Sequence, residues 1–231
     1  MSKTVLLTIT CLLIICVIVI INKKRSRTKN FNRKQVLIII GVLIIISMIS
    51  VFISGYRISP LAASRANGFI KEDFELINDL DLDWAYIHFY HDKENDKYYT
   101  AISEKKLFMY VSRCSVWHYS NNEDPIRTIG SMNYNNGKGK FAKLLMVDTD
   151  DKNIESIIIR DEHESIETKI NVDSPQIIIF DKFLNLNDCD VVALDENNQE
   201  IFYYGYPRGT NILRDEDYKW HYVEDVVEGQ N

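Results

Sequence analysis

The stretch WAYIHFYHDKENDKYYTAIS, residues 84–103, indicates a β-hairpin. In its first half Ala85, Ile87 and Phe89 alternate with more polar or aromatic positions, which is the period of a strand with one buried face. The segment DKENDK supplies turn formers, and YYTAIS follows as the returning strand. The hairpin therefore predicts that the folded part of the chain is built from β-structure.

Strand-like runs continue beyond this hairpin and are separated by segments rich in Asn, Asp, Gly and Pro. They lie at residues 107–119, 140–147, 154–160, 165–172, 176–180, 190–194 and 199–204. About nine short strands without intervening helices are typical of an antiparallel β-sandwich or a curled sheet. We therefore predict a mainly-β (α+β) domain over residues 56–207.

Two segments that flank these runs have other patterns. Residues 61–80 place Ile70, Phe74 and Ile77 at spacings of four and three. This spacing predicts an N-terminal amphipathic helix for the domain, although Gly68 weakens it. Residues 208–231 are acidic and aperiodic, so we predict that they form a loosely held tail.

The beginning of the chain contains two runs without a charged side chain, residues 4–21 and 36–53, each 18 residues long. As helices they would extend about 27 Å, which is close to the hydrocarbon thickness of a bilayer. They predict a transmembrane helical hairpin over residues 1–55. The expected fold class is thus two transmembrane α-helices followed by the mainly-β domain.

The loop between these runs, residues 22–34, carries seven cations and no acid. These topology determinants are Lys23, Lys24, Arg25, Arg27, Lys29, Arg33 and Lys34. The positive-inside rule keeps such a loop in the cytoplasm. The sequence therefore predicts a multi-pass protein of the cell membrane, in contact with the bilayer, whose N-terminus and C-terminal domain both lie outside.

Processing of the two runs is disfavoured by their flanks. The first run is followed by cations rather than by a cleavage site, and neither Cys11 nor Cys16 has the preceding small residue of a lipoprotein signal. The small residues Ala62, Ala63 and Ser64 follow the second run, so cleavage there is the alternative. The length of that run favours an uncleaved anchor.

Charge is distributed unevenly along the chain. All 33 acidic residues lie after Ser54, together with 19 of the 27 basic residues, so this part has a net charge of −14. Binding to nucleic acid depends on clustered Lys and Arg, and the clustered cations here are those of residues 22–34. We therefore exclude nucleic acid as a partner of the β-domain.

The order of segments is similar to that of one group of proteins. The helix-like SRANGFIKEDFE, the strand AYIHFY, the pair ESIIIRDEHESIETKI and the closing VVALDENNQEIFYYG carry the similarity, which spans residues 65–205. In these features the chain resembles uncharacterised membrane-anchored extracytoplasmic β-domain proteins of Gram-positive, Bacillus-like bacteria. The resemblance implies a fold and a location, but no activity.

The motifs that suggest metal or phosphate chemistry each fail a physical test. His88 and His91 are three residues apart in a strand, so they point to opposite faces. The acidic segment 148–155 resembles a calcium loop, but Ile159 stands at the twelfth position and Lys152 adds a cation. The glycines of residues 130–140 lack the spacing of a phosphate loop. We expect no metal, no cofactor and no catalytic residues.

Cysteines offer one structural candidate. Cys114 and Cys189 are the cysteines of the predicted outer domain, and a disulfide between them is one alternative, two buried thiols being the other. Cys114 and His118 share a strand face but lie roughly 13 Å apart along it. This distance excludes a nucleophile and its base.

Three function classes follow. The first is a binding or accessory module with an extracytoplasmic or membrane protein partner, because nothing in the motifs demands catalysis. The second is a subunit of a membrane complex that acts through its hairpin, with Ser47, Ser50 and Ser54 along one helix. The third, less favoured, is a cell-envelope hydrolase. Its candidate groups are Asp161, Glu162 and Glu164 around His163.

Overall fold

The computed structural model describes residues 33–120, 123–172, 174–180, 189–209 and 213–223. Its helices are α1 (Arg33–Ile53), α2 (Pro60–Arg65) and a 3-10 turn (Asp215–Asp217). Its strands are β1 (Tyr56–Arg57), β2 (Glu75–Asp81), β3 (Ala85–Asp92), β4 (Lys97–Lys106), β5 (Met109–Tyr119), β6 (Ile126–Asn135), β7 (Phe141–Thr149), β8 (Ser156–Arg160), β9 (Ser165–Lys169), β10 (Gln176–Ile179), β11 (Asp190–Leu194), β12 (Glu200–Gly205) and β13 (Lys219–Tyr222).

The described strands form three antiparallel sheets. The first sheet has the order β1-β5-β4-β3-β2, the middle sheet β10-β7-β6, and the third sheet β13-β12-β11-β8-β9. The hairpin that the sequence predicts at residues 84–103 is β3 and β4, with Tyr90 opposite Tyr99. The described part of the protein is therefore mainly β.

The middle sheet is covered on both faces, which makes the β-structure three layers thick. On β7, Leu144 and Met146 pack into the core shared with the first sheet, whereas Leu145 and Val147 pack into the core shared with the third sheet. Successive side chains of a strand point to opposite faces, so a continuous apolar run is what a strand buried on both faces requires.

The predicted helix over residues 61–80 is wrong beyond its first turn. The Ser59 hydroxyl accepts a hydrogen bond from the backbone N–H of Ala62 and caps α2, which ends at Arg65. Residues 75–81 instead form strand β2, which pairs with β3. Of the three residues in the apolar spacing, Ile70 and Phe74 are buried and Ile77 is exposed on β2. Ile70 and Phe74 cover Tyr90 and Ala101 from an irregular segment.

Part of the predicted tail belongs to the third sheet. Strand β13 pairs with β12, and Trp220 is 4% exposed in the core between the middle and third sheets. The β-structure therefore extends past residue 207, where the sequence suggested that the domain ends. The hydrophobic effect of burying Trp220 and Tyr218 outweighs the acidic composition around them. Residues 224–231 lie outside the described part.

The two predicted transmembrane helices are corrected by the structure. Among the described residues, no helix combines the length and the apolarity needed to cross a membrane. Helix α1 is 21 residues long and begins with two cations, Arg33 and Lys34. The apolar runs of the sequence predicted two such helices. The multi-pass topology and the cell-membrane location that rested on them are therefore wrong.

The remaining parts of the predicted hairpin, the run 4–21 and the cations from Lys23 to Lys29, lie outside the described residues. Helix α1 meets the β-structure through its last turn. Val51 packs against Tyr56 and Val111, and Arg57 donates to the carbonyl of Phe52 at 2.7 Å while lying 3.7 Å over its ring. These contacts fix the point at which α1 joins the first sheet.

Candidate functional site

The two candidate cysteines do not form a disulfide. Cys114 packs into the core between the first and middle sheets, whereas Cys189 packs against the core on the other side of the middle sheet. The middle sheet thus separates the two thiols. Of the two alternatives, a disulfide and a pair of thiols, the structure has the pair of thiols. Burial raises the pKa of the Cys114 thiol, which lowers its reactivity as a nucleophile.

The candidate metal ligands are not brought together. His88 is 2% exposed, whereas His91 stacks on Tyr98 with ring centroids 4.5 Å apart and lies 3.3 Å from Asp96. No cluster of three or more His, Cys, Asp or Glu side chains able to hold a metal occurs among the described residues. In the acidic turn after β7, Arg127 pairs with Asp148 at 2.6 Å and with Asp150 at 3.1 Å, so two of the acids of this turn are paired within the protein.

The segment around His163 is a tight turn between β8 and β9. The Asp161 carboxylate accepts hydrogen bonds from the backbone N–H groups of His163 and Glu164 at 2.7 and 2.8 Å. These bonds lower the pKa of Asp161. The side chains of His163 and Glu164 are exposed, so they lack the enclosure that a catalytic acid or base needs.

The concave surface with the most distinctive chemistry lies where strands from the three sheets meet, and we call it the aromatic cleft. It has a volume of about 270 Å³. Its walls carry six aromatic side chains: Trp117, Tyr119, Tyr204, Tyr206, Tyr218 and Trp220. The polar groups between them include His118, Thr128, Asp215 and Lys219.

The topology explains why these walls converge. Strand β1 pairs with β5 at Val111 and Tyr110 alone, so the far end of β5 is an edge of the first sheet. Strand β6 is an edge of the middle sheet, and β13 is an edge of the third sheet. Each of the three sheets thus contributes an edge to the cleft.

The aromatic residues come from three short sequences of one form, an aromatic residue, a spacer and a second aromatic residue. These sequences are Trp117-His118-Tyr119, Tyr204-Gly205-Tyr206 and Tyr218-Lys219-Trp220. In an extended segment, residues two apart lie on the same face. Each pair therefore presents two rings to one side, and pairing of Tyr204 with Trp220 brings two of the pairs together.

The rings meet edge to face rather than in parallel. Trp117 and Tyr119 have an interplanar angle of 83°, Tyr204 and Tyr218 one of 73°, and Tyr206 and Tyr218 one of 65°. Such arrangements place the positive edge of one ring against the negative face of the next. The walls are therefore held by ring contacts, and Trp117 and Tyr206 remain 40% and 37% exposed.

Charges around the cleft balance. Lys219 Nζ lies 3.1 Å from both carboxylate oxygens of Asp124. Lys97 Nζ lies 4.2 Å from the ring centroid of Trp117, and Asp215 is exposed at the rim. Two cations thus face two acids, so the cleft has no strong preference for a ligand of either sign.

Two buried polar groups distinguish the cleft floor. Burial lowers the pKa of His118 to about 4, so its imidazole is neutral near pH 7, and its Nε2 lies 2.8 Å from the Ser131 hydroxyl. The Tyr204 hydroxyl is buried beside Thr128 and has no hydrogen-bond partner of good geometry among the described residues. Burial raises the pKa of Tyr204, so it is a neutral phenol.

The His118–Ser131 pair has the distance of a base and a nucleophile but not their other properties. A base with a pKa of about 4 is a weak proton acceptor at pH 7. Ser131 is 8% exposed and is not among the residues that line the cleft, so a substrate there would not meet its hydroxyl. The pair therefore acts as a structural hydrogen bond between β5 and β6.

The aromatic cleft was not predicted from the sequence, although the three spaced aromatic pairs are a pattern that could have indicated it. Comparison with known proteins adds no candidate residue. No protein-family model matches the chain, and searches of curated proteins and of solved structures return no similar protein. The resemblance to extracytoplasmic β-domain proteins stays a prediction.

Proposed function

We propose that this chain is a binding module whose ligand site is the aromatic cleft, and that it performs no chemistry on what it binds. The observation that carries the proposal is the buried Tyr204 hydroxyl, which has no hydrogen-bond partner of good geometry in the described part of the chain and lies at the floor of a space walled by six aromatic residues. Leaving a buried hydroxyl unpaired costs about 1–3 kcal/mol, and a bound ligand can recover that cost.

The walls have the composition of a ligand site. Binding pockets combine apolar and aromatic surface with a few placed polar groups, and Tyr and Trp offer large contact areas with little loss of side-chain entropy. Trp117 and Tyr206 supply exposed ring surface, while Tyr204 and Thr128 supply polar groups at depth. The neutral state of His118 favours binding over proton transfer.

A screen for thermal stabilisation of the full-length chain tests the proposal. A chemically mixed library of small molecules is applied to the wild type, to Tyr206→Ala and to Tyr222→Ala. The control is matched, since Tyr206 and Tyr222 are 37% and 49% exposed and each contacts one ring, that of Tyr218 and that of Phe202 respectively. Tyr222 lies outside the cleft.

At least one compound should raise the melting temperature of the wild type and of Tyr222→Ala but not of Tyr206→Ala. A ligand present at 100 times its Kd stabilises the folded protein by about 2.7 kcal/mol, which such a screen detects. If no compound stabilises the wild type, or if the effect survives in Tyr206→Ala, the cleft is not the ligand site.

A further inference from the structure

We infer that the ligand of the aromatic cleft is a carbohydrate, held as one neutral sugar ring against Trp117 and Tyr206. This inference rests on the proposed binding function and adds the chemical class of the ligand. It is carried by three properties of the cleft, namely its charge balance, the angles between its rings and the polar group left without a partner at its floor.

The charge balance argues against ionic ligands. An ammonium ligand on the exposed rings would meet Lys97, whose Nζ already lies 4.2 Å from the Trp117 centroid and 5.0 Å from that of Tyr119. A phosphate would meet the carboxylate of Asp215, and the cation that lines the cleft, Lys219, is already paired with Asp124. His118, with its pKa of about 4, adds no positive charge near pH 7. A neutral ligand avoids both repulsions.

The ring angles argue against a planar aromatic ligand. Nucleobases are recognised by stacking on aromatic faces, often between two of them. In the cleft the neighbouring pairs Trp117–Tyr119 and Tyr206–Tyr218 are inclined at 83° and 65°, so neither pair forms a parallel slot. A puckered ring whose C–H groups cover one side fits a wall of separate, inclined faces, and a sugar ring has this shape.

The buried hydroxyl requires a ligand that can both donate and accept. Among the residues that the structure describes, the Tyr204 hydroxyl lacks a partner of good geometry, and Thr128 beside it accepts from the indole N–H of Trp220 at 3.1 Å. A sugar hydroxyl offers one donor and two acceptor lone pairs, so it can satisfy Tyr204 in either role. A hydrocarbon ring cannot, and it would leave the hydroxyl unpaired.

The volume sets the length of the bound portion. About 270 Å³ is the share of roughly nine water molecules in the liquid. That space accepts one six-membered sugar ring with a few ordered waters, and the opening to solvent lets further units of a chain extend outward. The cleft is therefore suited to one unit of an oligosaccharide.

Isothermal titration of the full-length protein tests the inference with defined probes. The neutral probes are maltopentaose, cellopentaose and the pentamer of N-acetylglucosamine, and the charged probes are choline and adenosine monophosphate. The variants are Trp117→Ala and Tyr206→Ala in the cleft, with Tyr222→Ala as the control outside it.

One of the neutral oligosaccharides should bind with a single saturable site. Each cleft variant should weaken this binding by about tenfold, the loss expected for one stacked aromatic contact, and Tyr222→Ala should leave it unchanged. The affinity should stay constant between about 0.05 and 0.5 M salt, because a neutral ligand is not screened.

The outcomes that overturn the inference are distinct from those that overturn the function. Binding of choline or adenosine monophosphate that depends on Trp117 and Tyr206 would retain the cleft as a binding site and refute the sugar class. Failure of all three oligosaccharides would also refute it. Oligosaccharide binding that both cleft variants preserve would refute the inference and the proposed site together.

Discussion

Trp220 Nε1 donates a hydrogen bond to Thr128 Oγ1 across 3.1 Å and so joins the edge of the third sheet to the edge of the middle sheet. Trp220 is 4% exposed, and its ring also contacts Tyr204 with centroids 5.3 Å apart. One side chain thus holds two layers together beneath the aromatic cleft. The floor of the site and the stability of the fold depend on the same residue.

Replacing Trp220 with Phe should lower the free energy of unfolding by about 2–3 kcal/mol, because it removes the bond to Thr128 and leaves a space where the larger indole packed. Urea denaturation measures the change. Trp117→Phe is the control, and at 40% exposure it should cost less than about 1 kcal/mol. Equal effects of the two substitutions would show that Trp220 does not join the layers.

Gly130 is required for the close approach of the first and middle sheets. A Cβ at this position would lie 2.4 Å from Cδ1 of Phe89 and 2.8 Å from Oγ1 of Thr100. Gly130→Ala should therefore destabilise the fold by about 1–3 kcal/mol through overpacking. Gly68→Ala, which meets no atom within 4 Å, should have an effect within about 1 kcal/mol of zero in the same chemical denaturation.

Acid should destabilise the fold through His118. Its pKa is about 4 in the folded protein and about 6.5 in an unfolded chain, so the unfolded chain binds the proton first as the pH falls. The stabilisation is complete above about pH 6.5 and is lost between there and about pH 4, by up to about 3 kcal/mol. Burial also lowers the pKa of His88, which acts in the same direction.

Unfolding measured at pH 7.5 and pH 4.5 checks this dependence. The free energy of unfolding that is lost between pH 7.5 and pH 4.5 should be about 2 kcal/mol smaller in His118→Gln than in the wild type. The amide of the glutamine can still bond to Ser131. The carboxylates titrate in both proteins, so their effect on stability cancels when the two are compared. If the wild type and His118→Gln lose the same stability on acidification, His118 is not a buried neutral base.

The turn between β8 and β9 should depend on Asp161 and not on its neighbours. Asp161→Ala removes the acceptor of two backbone hydrogen bonds and should lower the denaturation midpoint. Replacing His163 and Glu164 together with Ala should change stability by less than about 0.5 kcal/mol, since both side chains are exposed. Denaturation midpoints of the two variants give the comparison, and a larger loss in the double variant would contradict the account.

Many strands were predictable from the sequence because their alternation and their turns are local properties. The hairpin of residues 84–103 and the strand of residues 190–194 have almost the predicted bounds. Strand β6 was missed because Gly130 and three Asn or Ser residues interrupt its apolar pattern. Those residues reflect contact with another sheet, where Gly130 admits Phe89, and no local pattern reports such a contact.

The helix predicted over residues 61–80 failed for a related reason. Two of the three residues in its apolar spacing, Ile70 and Phe74, are buried, but they are presented by an irregular segment that lies on a sheet, and Ile77 is exposed. Pairing of residues 75–81 with β3 then supplies the backbone hydrogen bonds that a helix would have made. Tertiary structure decided between two local solutions.

The aromatic cleft could be predicted only in part. The three spaced aromatic pairs can be found in the sequence, and each predicts two rings on one face of a strand. Their convergence depends on which strand ends become edges, and this follows from pairing over long distances, such as that of Lys219 with Asp124. The aromatic composition of the cleft could therefore be predicted from the sequence, whereas the convergence of the rings at one site could not.

Fluorine NMR of the full-length chain labelled with 5-fluorotryptophan tests the central claim most directly. The chain has three tryptophans, of which Trp117 and Trp220 line the aromatic cleft and Trp84 stacks near Tyr134 outside it. Titration with the neutral pentasaccharides should shift the resonances of Trp117 and Trp220 and leave that of Trp84 in place. Unchanged resonances for Trp117 and Trp220, or a shift of Trp84 alone, would contradict the assignment of the cleft as the ligand site.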